Sequence, residues 1–187
     1  MKPTFAARFL MAAALLAGAG VAGAADKNQP PKFQTDADLG EAVRHEIVMY
    51  PRYTLFDDIY AQVENGQVRL TGVVTQPFKK SDIGKIVRQV AGDNRVANDI
   101  RVLPLSSVDE RLRMQVARRI YSDPAMLRYA MNPVKPIHII VENGHVTLSG
   151  IVATDFDKQI AGTCASSAMS FGQVVNHLRV ENPARRS

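Results

Sequence analysis

A phrase of twelve residues occurs twice and limits what this chain can fold into. Residues 63–74 read VENGQVRLTGVV, and residues 141–152 read VENGHVTLSGIV, an offset of 78. Asn-Gly between two alternating apolar runs predicts a hairpin closed by a type I′ turn, because both turn positions need positive φ. Gly66 and Gly144 fill the second turn position. Each copy then closes on a further glycine, Gly72 or Gly150, where a strand is expected to bend or to meet another backbone closely.

The repeat extends in both directions. Val96–Val102 matches Val174–Val180 at the same offset, and Leu39, Val43 and Ile47 match Leu112, Val116 and Ile120 at an offset of 73. Two copies of a unit of about seventy residues do not make a solenoid, so two similar domains in tandem are expected, spanning 35–104 and 105–183. Each is small enough for its own core to be marginal, and docking of the two is expected.

Within each unit the pattern gives helix, strand, strand, helix, strand. Thr35 caps the first helix, with Asp38 three residues on, and Leu39, Val43, Ile47 and Tyr50 share a face until Pro51. In the second unit Ser107 is expected to cap and Glu110 to complete the box. Along the hairpins, Ile59, Ala61, Val63, Val68 and Leu70, and likewise Ile137, Ile139, Val141, Val146 and Leu148, form an inward face. His138, Ile140, Glu142, His145 and Thr147 are expected to point to water. A later helix starts at Pro77 in one unit and after a Thr154 cap in the other, with Asp157 at the box position. Its stripe Ile83, Ile86, Val87, Val90 becomes Ala161, Cys164, Ala165, Ala168, so Cys164 reads as a small buried hydrophobe. A right-handed crossover places the last strand parallel to the second. The predicted fold class is α+β: two copies of a two-layer α-β-β-α-β unit, each a three-stranded mixed sheet with both helices on one face.

Residues 1–24 read as an export signal, with Lys2 and Arg8, an apolar run too short to span a bilayer, and Ala22-Gly23-Ala24 before a cut after Ala24. Residues 25–34 read as a flexible tether. The expected location is the periplasm, without a lipid anchor, since no cysteine stands near the cut. The single cysteine also excludes a disulfide within one chain.

Charge is unevenly shared. Residues 35–103 hold nine Lys/Arg against ten Asp/Glu, and residues 107–187 hold ten against seven. The copies differ most where the second carries extra residues, at 124–136. There Met126, Leu127, Arg128 and Tyr129 follow a helix bearing Arg111, Arg113, Arg118 and Arg119. Apolar side chains beside a basic helix point to contact with an anionic membrane surface, and these eight are the candidate lipid-binding residues. The same apolar residues could instead cap the core or fill the seam between domains.

No nucleophile motif, phosphate loop or metal-ligand spacing appears, so neither catalysis nor a cofactor or metal is expected. His138 and His145 would stand roughly 13 Å apart along their strands, too far to share a metal. Asp57-Asp58 reads as a turn. Nucleic acid is disfavoured, because no aromatic residues are interleaved with the arginines.

The duplicated V-x-N-G-x-V-x-L-x-G phrase, its preceding amphipathic helix and the closing V-x-N-x-[IL]-x-V strand resemble the BON (bacterial osmotic-stress and nodulation) domain family over nearly all of the chain after residue 34. The resemblance implies two non-catalytic binding domains in an exported protein similar to the osmotically inducible periplasmic proteins and the related outer-membrane lipoproteins. It also implies phospholipid-membrane binding in envelope integrity or osmotic stress. Gly72 and Gly150 match the family's glycine, read as structural. A soluble protein-interaction or chaperone-like stress role is the alternative.

Overall fold

The computed structural model describes residues 33–92, 95–170 and 172–181; the expected export signal and most of the tether lie outside them. The first unit runs α1 (Asp36–Met49), β1 (Asp58–Glu64), β2 (Gln67–Val74), α2 (Pro77–Ala91), β3 (Val96–Asn98) and β4 (Arg101–Val102). The second runs α3 (Ser107–Tyr121), a 3₁₀ turn (Pro124–Met126), α4 (Leu127–Ala130), β5 (Ile137–Glu142), β6 (His145–Val152), α5 (Asp155–Ser167), β7 (Val174–Asn176) and β8 (Arg179–Val180). Each is the expected α+β arrangement. The middle strand, β2 or β6, pairs antiparallel with the strand before it and parallel with the two short pieces after it. Leu39, Val43, Ile47, Ile83 and Val87 build one core beneath the first sheet. Val116, Ile120, Ala161, Cys164 and Ala165 build the other. Burial pushes the Cys164 thiol pKa up, as suits a core side chain. Phe33, at the end of the expected tether, packs on the first core.

The last strand of each unit is broken rather than continuous. Asn98 donates to the Lys80 carbonyl and accepts from the Ile100 N–H; Asn176 does the same with Lys158 and Leu178. The interruption lets Ile100 and Leu178 turn inward, each 1% exposed. The α3 cap is Ser106, one residue before the expected position, and its hydroxyl accepts from the Asp109 N–H. Glu110 makes no box and pairs with Arg113 instead. Thr35 and Thr154 form full capping boxes with Asp38 and Asp157.

Both turns have the expected geometry, with φ of 52° at Asn65 and Asn143 and 71° and 78° at Gly66 and Gly144. An aspartate from the preceding helix holds each turn from below. Asp36 accepts from the N–H groups of Asn65 and Gly66, and Asp109 from those of Asn143 and Gly144.

The outer face of the second sheet is not fully wet. Ile140 is 9% and Ser149 4% exposed, and the first unit meets this face at His138, Ser149 and Glu142. Ser149 donates to Asp58 at 2.6 Å, and Ile139 N–H donates to the Leu55 carbonyl at 2.7 Å. Arg101 forms a two-pronged pair with Glu142. The Asp57-Asp58 dipeptide is thus more than a turn. Asp57 is fully buried against Lys79, and Asp58 opens β1 and reaches the other unit.

Candidate membrane-contact surface

α3 has two faces. Its inner face buries Arg113, Val116, Ala117 and Ile120. Its outer face carries Val108, Arg111, Met114 and Arg118 at helical spacing, with Val108 48% and Met114 44% exposed. Apolar and cationic side chains therefore alternate along a surface that nothing in the chain covers among the described residues. Arg111 and Arg118 are exposed and have no ion-pair partner among those residues. Arg119, also exposed, donates to Ser167 at 3.2 Å. The corresponding helix α1 differs: its exposed positions include Asp36, Asp38 and Glu41 beside Arg44. Of the ten Lys/Arg at 107–187, Arg185 and Arg186 lie outside the described residues, and Arg111 and Arg118 stand on this one helix face. Val108 and Met114 were not among the expected contacts; they are legible only once the inner stripe is subtracted from the helix.

The eight candidate residues do not form one surface. Arg113 is 4% exposed and reaches inward to the Val141 carbonyl at 2.8 Å. Met126, 0% exposed, fills the second core. Tyr129 is buried, with its hydroxyl donating to Asp157 at 2.9 Å and accepting from the Ala153 N–H at 2.7 Å. These three are withdrawn as surface contacts: the 124–136 segment caps the core with Met126 and Tyr129, and Arg113 is turned inward from α3 onto β5. Arg128 stays at the surface but is tied to Asp157. Burial raises the Asp157 pKa, but hydrogen bonds from Arg128, Thr154 and Tyr129 outweigh it and hold the carboxyl down at about 2. Leu127, one turn before Met131 on the same side of α4, is 56% exposed, and Met131 is 77%. Arg111, Arg118, Arg119 and Leu127 remain as unburied candidates without a carboxylate partner. No helix among the described residues is long and apolar enough to cross a membrane. No cluster of three or more His, Cys, Asp or Glu among them could hold a metal.

The BON domain family model matches residues 35–104 and 109–182. The chain belongs to the BON domain family. BON domains are non-catalytic binding domains, and the family is associated with phospholipid binding and osmotic stress. No curated protein matches the sequence. Two solved structures of CdsD, a structural protein of the type III secretion system of Chlamydia trachomatis, are similar to this tandem-BON chain. One is 12% identical with a TM-score of 0.28, covering 78% of this chain and 66% of that one. The other, a C-terminal domain, is 9% identical with a TM-score of 0.32, covering 78% and 67%.

Between the two BON units lies His138. Its ring sits 5.6 Å from that of Tyr53, and Nδ1 is buried without a partner. Burial lowers its pKa from 6.5, and the nearby charges of Asp58 and Asp57 only partly oppose this. The folded chain therefore holds this histidine neutral at a pH where the unfolded chain protonates it. Stability is lost as pH falls below 6.5, with a slope of at most about 1.4 kcal/mol per pH unit for one proton. Urea midpoints at pH 7.5 and 5.5 should fall further apart for the wild type than for His138→Phe. Equal spacing would mean that the seam does not titrate through this residue.

Proposed function

We propose that this protein is exported to the periplasm and binds anionic phospholipid surfaces through the outer face of α3, in envelope integrity or osmotic stress. The observation that supports the reading is the exposed Val108–Arg111–Met114–Arg118 stripe on a helix whose inner face is already buried in the second core. A helix lying in the headgroup region needs this pairing: apolar side chains to enter the acyl boundary and cations to meet phosphate. Contact of this kind, made by one helix face in the headgroup region, is reversible.

The test is co-sedimentation of the chain from Ala25 onward with phosphatidylcholine vesicles and with phosphatidylglycerol-containing vesicles. Binding should be confined to the anionic vesicles and should weaken with salt. Each arginine near such a surface contributes ~1 kcal/mol, so Arg111→Gln with Arg118→Gln should weaken binding by about 30-fold. Equal affinity for both vesicle types, or a double variant that binds like the wild type, would remove α3 from the reading.

A further inference from the structure

The duplication presents the same edge strand twice, and only one copy is closed. β5 is the outer strand of the second sheet, with its outward main-chain groups at Ile137, Ile139 and Val141. Each of these residues is met from outside. The Tyr121 hydroxyl donates to the Ile137 carbonyl at 2.9 Å. The Ile139 N–H donates to the Leu55 carbonyl at 2.7 Å. Arg113 donates to the Val141 carbonyl at 2.8 Å. All three residues are 0% exposed.

β1 holds the matching place in the first sheet. Ile59, Ala61 and Val63 stand opposite Gly72, Leu70 and Val68, in the register in which Ile137, Ile139 and Val141 stand opposite Gly150, Leu148 and Val146. Their outward groups therefore point to the free side. The plugs, however, are missing. Gly40 occupies the position of Arg113 and Val48 that of Tyr121, and neither has a side-chain donor. The Tyr53 hydroxyl lies at the Ile59 main chain. Among the described residues, nothing outside the sheet bonds to the main chain of Ala61 or Val63. Both are partly exposed, and they line a groove of about 420 Å³ with Asp36, Gly40, Glu41 and Arg44.

A row of open N–H and C=O groups is a template for one kind of occupant, another extended backbone. The charge around it narrows the choice. Asp36 and Glu41 line the groove with Arg44 as its one lining cation, and Glu64 ends the strand, with Arg95 reaching the turn beyond it. A second copy of this chain would set that acidic group against itself, whereas a basic segment complements it. We propose that β1 is a docking edge for an extended, basic polypeptide segment, added as a further strand beside Ala61 and Val63. The site is separate from α3, and it gives the protein-contact alternative a location.

The test uses the chain from Ala25 onward and a fluorescein-labelled peptide alternating lysine with valine and threonine. Gly40→Arg copies the plug of the second unit. A Cβ at Gly40 would sit 3.5 Å from Val63 Cγ2, an ordinary contact, so the added carbon itself meets no clash. Saturable binding is expected, with slowed hydrogen exchange at the Ala61 and Val63 amides. Main-chain hydrogen bonds supply most of the affinity in strand addition, so Gly40→Arg should weaken binding by at least roughly ten-fold. Gly40→Ala, which leaves the edge open, should bind like the wild type, and a glutamate version of the peptide should bind worse. The proposal is overturned by absent binding, by an unaffected Gly40→Arg variant, or by equal loss in Gly40→Ala. Amides already protected without peptide would also overturn it. So would a wild-type dimer that Gly40→Arg dissociates, which would assign the edge to a second copy.

Discussion

Asp57→Ala is expected to cost about 4 kcal/mol, the scale of breaking one partner out of a buried ion pair. Asp57 is 0% exposed and is the acceptor at the centre of a closed network. It accepts from the Thr54 N–H and hydroxyl at 2.9 and 2.7 Å, from the Thr75 N–H and hydroxyl at 2.9 and 3.0 Å, and from Lys79 Nζ at 2.6 Å. Alanine strands two main-chain donors and leaves the Lys79 ammonium, in a residue 5% exposed, with hydroxyls alone. The loss is a large part of the 5–15 kcal/mol typical of a whole domain. Lys79→Met should cost less, about 2–3 kcal/mol, because the carboxylate keeps four donors. Urea unfolding of the two variants checks the ranking. A lysine variant as damaged as the aspartate variant would mean that charge balance, rather than the acceptor hub, holds this loop. Asp57 stands between Leu55 and Asp58, which both bond to the second unit, so its loss should loosen the seam as well.

Gly150→Ala is expected to be of comparable severity for a different reason. The residue has φ of +115°, and a Cβ there would lie 1.9 Å from the Pro136 carbonyl oxygen. Strained φ alone costs about 1–3 kcal/mol, and the overlap with a fixed backbone atom adds to it, for a total of about 4 kcal/mol or more. Gly72→Ala should behave alike, with its Cβ 2.1 Å from the Asp58 carbonyl oxygen. Gly92→Ala separates the two contributions. Its φ is +95° but nothing lies within 4 Å of the added carbon, so only the strain of about 1–3 kcal/mol applies. Thermal unfolding of the three variants should place Gly92→Ala well above the other two. If all three fall together, the close approach of the neighbouring strand is not what selects glycine.

The fold was readable because the repeat supplies each element twice, and the turn glycines, capping threonines and apolar stripes depend on local chemistry. What sequence could not show were the features that depend on a partner from elsewhere. Arg113 looks like any surface arginine until Val141 is found beneath it. Met126 and Tyr129 resemble an exposed apolar insert until Asp157 and the second core claim them. His138 and Ile140 do point away from their own core, as the alternation predicts, but they are not wet, because the first unit meets that face at Tyr53, Asp58 and Arg101. Conversely, helical periodicity draws attention to the inner stripe of α3 and away from Val108 and Met114 on its outer face.

One bond joining the halves has a consequence for how such a chain is made. Synthesis delivers the amino-terminal half first, and domains tend to fold as they emerge. The Leu55 carbonyl that satisfies Ile139 is therefore in place before β5 exists. The half that lends the cover precedes the half that borrows it. With the two copies exchanged in order, a newly made β5 would wait with that N–H unsatisfied, a nascent strand open to the wrong neighbour. Duplication began with equivalent copies, but the sequence of their manufacture now matters.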